Sequence, residues 1–189
     1  MTLHERIIEI SKKLHLSHLG SCLTAVDIID DIYLLKNYSE KFVLSCGHAG
    51  LALYVVLEKY YGLDAEALYM KHGTHPNRDD YIDCSTGSLG MGLSIAVGMA
   101  LADRTKKVYC IISDGECFEG LIWEAANVIR KYRVNNLKVY LNFNGFSAYD
   151  KVHRRMVGLM VEIIPSIEII YTNVEDYGLS GISAHYIIL

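Results

Sequence analysis

The sequence predicts an α/β fold, a mostly parallel sheet flanked by helices in three layers. Three observations predict it. An apolar run, Val108-Tyr109-Cys110-Ile111-Ile112, is followed by one helix length, Leu121 to Tyr132, and then by a second apolar run, Leu137-Lys138-Val139-Tyr140-Leu141. A strand, a crossover helix and a strand make a parallel pair. The segment Ser88 to Asp103 is apolar and rich in small residues (Gly90, Gly92, Ala96, Gly98, Ala100), which marks a buried, closely packed helix. Finally, 51% of the 189 residues are hydrophobic and only two are proline, so one domain with a real core is expected over 1–189.

The elements follow in order. Ile7, Ile8, Ile10 and Leu14 have helical spacing. A second helix is expected from Thr24, read as its N-cap, through Val26, Ile28, Ile29, Ile32 and Leu35. Lys41 to Ser45 reads as a short strand, Gly47-His48 as the turn after it, and Leu51 to Tyr61 as a helix. Asp64 is placed to cap a short helix, Ala65 to Lys71. His72 to Ser85, with its Gly, Pro, Asn and Asp, reads as a loop over the site. Beyond the central strand–helix–strand, Ile167 to Tyr171 reads as a further parallel strand and Ala184 to Leu189 as a terminal extended segment.

A net charge of −4 and scattered basic residues, apart from Arg130-Lys131 and Arg154-Arg155, argue against nucleic-acid binding. No apolar stretch reaches membrane-spanning length, and the amphipathic start with Glu5 and Glu9 is no signal peptide. The five cysteines form no CxxC pair and read as reduced thiols of a cytoplasmic protein. Cys117 is either a reactive thiol near a helix start or an inert filler, and the second reading is preferred.

Asp114 and Asn144 each follow one of the paired strands, so both come to one edge of the sheet. Ligands of open α/β folds bind at that edge. A carboxylate and a carboxamide supply the hard oxygens that Mg²⁺ takes together with substrate phosphates and water. Gly115 admits a close backbone approach, and the following helix turns its free N–H groups toward an anion. A metal–diphosphate site is the physical expectation.

Asp114-Gly115, Glu119-Gly120, Trp123-Glu124-Ala125 and Asn144 resemble the thiamine diphosphate motif of the transketolase family. Leu16-Ser17-His18-Leu19-Gly20, Leu44-Ser45-Cys46-Gly47-His48-Ala49 and Gly73-Thr74-His75-Pro76 resemble its three histidine motifs, and Thr86-Gly87-Ser88-Leu89-Gly90-Met91-Gly92 its glycine-rich loop. Together these separate transketolase-like enzymes from dehydrogenase E1 subunits, which share only the cofactor motif. The resemblance covers the chain up to Asp150 and implies the family's three-layer cofactor-binding fold. It implies thiamine diphosphate and Mg²⁺ (or Ca²⁺ or Mn²⁺) as cofactors, with Asp114, Asn144 and the main-chain carbonyl of Phe146 as metal ligands. It further implies that Gly115 donates to the diphosphate, that Gly87 and Leu89 line the thiamine, and that His48 sits near the diphosphate. His18 and His75 would face the sugar hydroxyls, where a neutral imidazole can orient them and exchange protons. Glu119, with Glu124, resembles an acidic pair at a subunit contact; the plain alternative is two first-turn helix glutamates.

The chain departs from the family in three places. Ser113 stands where glycine is usual. After about 150 the pattern is shortened, with only Lys151 to Ser166 before the next strand, and His185 is carried over as a residue reaching the diphosphate. No residue follows the family's pyrimidine-binding domain, whose glutamate activates the cofactor. The resemblance therefore implies the N-terminal subunit of a split transketolase, moving a two-carbon ketol unit between sugars or sugar phosphates. It would act with a separate subunit carrying the pyrimidine-binding domain, as a dimer of heterodimers. The alternatives are other thiamine-dependent C–C chemistry in a specialised sugar pathway, or a non-catalytic scaffold derived from this domain.

Overall fold

The computed structural model describes residues 1–164 and 166–188, and of His185 the backbone only. Its sheet holds, among the described residues, four strands: β1 (Lys41–Leu44), β2 (Val108–Ser113), β3 (Leu137–Phe143) and β4 (Ile167–Tyr171). They run parallel in chain order β1-β2-β3-β4. Leu44 pairs with Ile111 and Ser113 with Asn142, so the C-terminal ends of β1, β2 and β3 open onto one edge. The expected three-layer α/β architecture is present.

Strand alternation sends successive side chains to opposite faces. Val108, Cys110 and Ile112 pack with Leu137, Val139 and Leu141 under α5 (Met91–Ala102), α6 (Gly120–Tyr132) and α7 (Arg154–Ile163). Tyr109 and Ile111 face the other layer, built from α1 (Leu3–Leu14), α2 (Leu19–Leu35), α3 (Gly50–Tyr61) and α4 (Ala65–His72). Both faces of β2 are covered, which explains its nearly unbroken apolar run. Asp64 caps α4 as expected, its carboxylate accepting from the N–H groups of Glu66 at 2.9 Å and Ala67 at 3.2 Å. No helix among the described residues is long and apolar enough to cross a membrane.

Three expectations need correction, and one further helix joins the elements read from the sequence. Thr24 does not start α2: the helix begins at Leu19, and the Thr24 hydroxyl donates to the Gly20 carbonyl at 3.0 Å from within it. A buried threonine satisfied by the preceding turn looks like a cap in sequence and is not one. The loop after α4 does not lie wholly over the site. Its second half flanks the outer edge of β1, where Asp83 accepts from the Phe42 N–H at 2.8 Å and so blunts an exposed strand edge. The short segment before β4 carries a helix, α7, that seats Val157 and Met160 in the core. The terminal segment forms a 3-10 turn, Gly181–His185, rather than an extended run; Leu189 lies outside the described residues.

Candidate functional site

A cavity of about 210 Å³ opens at the C-terminal edge of the sheet. Its walls include His18, His48, His75, Gly87, Leu89, Gly115, Asn144 and Phe146. Sequence reasoning singled out all eight. Each arrives from a different local device. His18 precedes α2 in the left-handed conformation (φ 64°), uncommon outside glycine, and its Nδ1 lies 2.8 Å from the Ser17 hydroxyl. His48 sits in the 3-10 turn Gly47–Ala49 directly after β1, with its ring 5.5 Å from that of His18. His75 is set by a pinned loop: the Tyr54 hydroxyl donates to the Gly73 carbonyl at 3.1 Å and the Thr74 hydroxyl lies 3.0 Å from that of Tyr69. The His75 ring packs on Gly87, where an added Cβ would come within 3.3 Å of it.

The opposite wall rests on Asp114 and the segment after β3. Asp114 is 1% exposed and lies beneath the cavity surface rather than lining it. Its carboxylate accepts from the Gly145 N–H at 2.7 Å and the Gly115 N–H at 3.0 Å. Burial pushes its pKa up to about 7 against the lowering effect of those donors. A carboxylate so buried is relieved either by holding a proton or by a neighbouring cation. Asn144 turns its Oδ1 back to the Phe146 N–H at 2.9 Å. The segment 146–151 closes into a tight turn, in which Ser147 bonds twice to Asp150 through its backbone N–H (2.8 Å) and hydroxyl (2.9 Å) to the same carbonyl. The Phe146 carbonyl oxygen comes within 4.0 Å of where a Cβ on Gly115 would stand. Three oxygens of mixed type are thus available to a hard cation. Among the described residues no group of three or more His, Cys, Asp or Glu could hold one.

One proposed residue stands elsewhere. Glu119 does not line the cavity; it opens α6 and packs behind Gly90, where an added Cβ would come within 2.9 Å of its own Cβ. The side chain of His185 lies outside the described residues. Cys117 is 0% exposed with its thiol pushed up to about 12 by burial, which supports the inert reading. The other four cysteines are also buried and free.

Sequence reasoning missed several participants. Asn142 lines the cavity, donates to the Thr24 hydroxyl at 3.1 Å and accepts from the Thr172 hydroxyl at 2.6 Å. Its place on β3, two residues before Asn144, was the available signal. Tyr186 lines the mouth and donates to the Ala148 carbonyl at 2.6 Å. Glu116 is 0% exposed yet fully hydrogen-bonded. Its carboxylate accepts from the Ser45 hydroxyl (2.5 Å), the Gly90 N–H (2.8 Å), and the N–H (2.8 Å) and hydroxyl (3.2 Å) of Ser113. Its pKa is raised by burial, with those donors opposing.

The family model described as transketolase, thiamine diphosphate binding domain, matches residues 35–157. The chain is 36% identical over 154 residues to the 6-deoxy-6-sulfo-D-fructose transketolase subunit SqwG of Clostridium sp. (strain MSTE9), covering 70% of this chain and 56% of that protein. It is 32% identical over 161 residues to an apulose-4-phosphate transketolase subunit of Phocaeicola vulgatus, covering 74% and 57%. Human transketolase is 32% identical over 155 residues, and the match covers 25% of it. The chain thus spans between a quarter and just over half of these relatives. In fold it matches a transketolase mutant from Pichia stipitis with a TM-score of 0.70 at 20% identity, over 86% of this chain and 31% of that one.

Proposed function

The chain belongs to the transketolase family, within its thiamine diphosphate binding domain, and on that premise we propose that it is the diphosphate-holding subunit of a split transketolase-like transferase. Residues 1–189 act as one domain, shortened after about 150. The subunit moves a two-carbon ketol unit between sugars or sugar phosphates, with a second chain supplying the pyrimidine-binding domain. Two relatives named as transketolase subunits, for a sulfosugar and a sugar phosphate, support this reading.

The observation that carries it is Asp114. A buried carboxylate with a pKa near 7 stands at the base of a cavity that, among the described residues, no lysine or arginine lines. A diphosphate bound there needs positive charge from elsewhere, and a divalent cation held by Asp114, Asn144 and the Phe146 carbonyl supplies it. Gly115 fits the anion: its missing side chain leaves the approach open where an added Cβ would come within 3.3 Å of Ser147. Gly87 and Leu89 face the thiamine, and His48 the diphosphate.

Thiamine diphosphate, when bound, supplies the carbanion stabilisation that cleavage beside a carbonyl requires. The chain's own residues orient and exchange protons. His18 and His75 hold substrate hydroxyls as neutral imidazoles. Glu119, off the cavity and at the start of α6, is assigned to the subunit contact. The buried free thiols fit a reducing, cytoplasmic setting.

Calorimetric titration of thiamine diphosphate tests the assignment. Binding should require Mg²⁺, Ca²⁺ or Mn²⁺ and disappear in chelator. Equal affinity with and without a divalent cation would remove the metal–diphosphate reading.

A further inference from the structure

Four hydrogen bonds converge on one buried carboxylate, carried by the same 3-10 turn (Asp114–Phe118) as Asp114 and Gly115. Glu116 reaches Ser45 at the end of β1, Gly90 at the start of α5 and Ser113 at the end of β2. Each partner lies within three residues of a cavity-lining group or is one itself: Ser45 precedes Cys46 and His48, Gly90 follows Gly87 and Leu89, and Ser113 lines the cavity beside Gly115. The two walls therefore meet in one side chain.

A buried carboxylate is a poor way to gain stability alone, because its desolvation offsets what its bonds return. Apolar packing would fill the space at no such cost. What the carboxylate adds is orientation, since each of its oxygens accepts two donors and all four directions are used. Close backbone packing beside it permits little slack. An added Cβ on Gly92 would lie 2.5 Å from the Ser45 Cα, and one on Gly47 2.9 Å from the Gly87 nitrogen.

We propose that Glu116 is a positioning residue that sets the width of the cofactor cleft, by tying the His48 and Gly87 wall to the Asp114 and Gly115 wall. This rests on the thiamine diphosphate reading above. Glu116 touches no substrate and acts through Ser45, Gly90 and Ser113.

Glu116→Gln tests it with the side-chain volume kept. The amide places a donor where an oxygen accepted two donors, so one backbone N–H is orphaned. The full chain, with any co-purifying partner, is titrated with thiamine diphosphate and Mg²⁺ well below its melting temperature. The fluorescence of Trp123, the one tryptophan, whose indole N–H donates to the Cys117 carbonyl at 3.0 Å, reports binding. The expected result is a Kd raised at least about 10-fold in a variant with an unchanged far-ultraviolet spectrum. A purely structural role would lower the melting temperature and leave that Kd alone, which overturns the proposal. If Glu116→Gln does not fold, Ser45→Ala decides, since it keeps the carboxylate and both backbone donors. A Kd raised about threefold or more supports the tie, and a smaller change overturns it. Failure of the unmodified protein to bind thiamine diphosphate would instead overturn the site assignment itself, and the tie with it.

Discussion

Asp114 and Gly145 bond across the gap between two strand ends, carboxylate oxygen to backbone N–H at 2.7 Å. The pair joins the end of β2 to the turn after β3. It leaves Asp114 enclosed, with burial as the largest influence on its pKa of about 7. The ordinary value of 3.8 is thus raised, and the sign of the consequence follows. Between about pH 4 and pH 7 the folded chain keeps a proton that the unfolded chain has lost. Stability of the metal-free chain should fall as pH rises through that window and level off above it. A difference of one pH unit in pKa is worth about 1.4 kcal/mol, so the fall should be at most a few kcal/mol. Asp114→Asn should make the profile shallower, leaving the part that buried Glu116 contributes with the same sign, and abolish metal-dependent cofactor binding. Thermal melts in chelator at pH 5 and pH 8 check the first point, and a flat profile for the unmodified chain would refute it.

The three cavity histidines should separate by role. His18→Ala and His75→Ala should lower kcat by about 10²–10⁴-fold and leave cofactor affinity nearly intact, because their assigned partners are substrate hydroxyls. His48→Ala should weaken the cofactor instead. Steady-state kinetics beside cofactor titration of each variant would show it, and the reverse pattern would exchange the assignments.

Gly92→Ala should be far more damaging than its size implies. The new methyl would sit 2.5 Å from the Ser45 Cα, a backbone atom that cannot swing away. Overpacking of this kind costs about 1–3 kcal/mol, and the strain falls on the segment leading to His48. Gly98→Ala on the same helix meets nothing within 4 Å and should be neutral or stabilising. Denaturant melts of the two variants give the comparison, and equal midpoints would remove the argument.

All five thiols should be silent in the native chain. They are buried, with Cys22 and Cys117 pushed up to about 12 and Cys84 to about 11 by desolvation. A chromogenic disulfide reagent at pH 8 should label none of them until denaturant is added, and then five. Rapid labelling of Cys117 in the native state would restore its reading as a reactive thiol.

The central β2–α6–β3 unit was legible because burial on both sheet faces leaves uninterrupted apolar runs at Val108–Ile112 and Leu137–Leu141. The cavity histidines were legible through motifs. Helix α7 was not, although Val157 and Met160 stand at helical spacing, because the segment before β4 reads only as the shortened remainder of the family pattern. The start of α2 was hidden because that helix is buried nearly all round, so no stripe marks its first turn. Glu116 was hidden for a different reason. Its donors Ser45 and Gly90 lie 71 and 26 residues away, and only the folded chain brings them to it. Local sequence speaks for local elements and says little about long-range polar ties.

The chain should have no ketol-transfer activity by itself and should acquire it with a second subunit. A cavity of about 210 Å³ is smaller than the roughly 300–1,000 Å³ that encloses a whole ligand, which fits a site completed by a second chain. A surface for that contact lies nearby. Phe118 and Leu121, at the start of α6, are 45% and 40% exposed, and Ile95, Met99 and Leu101 on α5 are only partly covered. Glu119 lies between the first two in sequence. Obligate contacts bury more than roughly 2,000 Å² and are largely apolar, and a two-fold assembly of two such chains with two partners would place each cofactor between unlike subunits. Co-purification, native mass measurement and ketol transfer from phosphorylated and sulfonated ketoses, with and without the partner, test this together. The expected species is a two-plus-two complex that is active while either chain alone is not. Replacing Phe118 and Leu121 by serine should split the complex without unfolding the chain, since both side chains already face solvent. Full turnover from the isolated chain would end the split-enzyme reading, and a stable complex that holds no cofactor would replace it with the scaffold alternative.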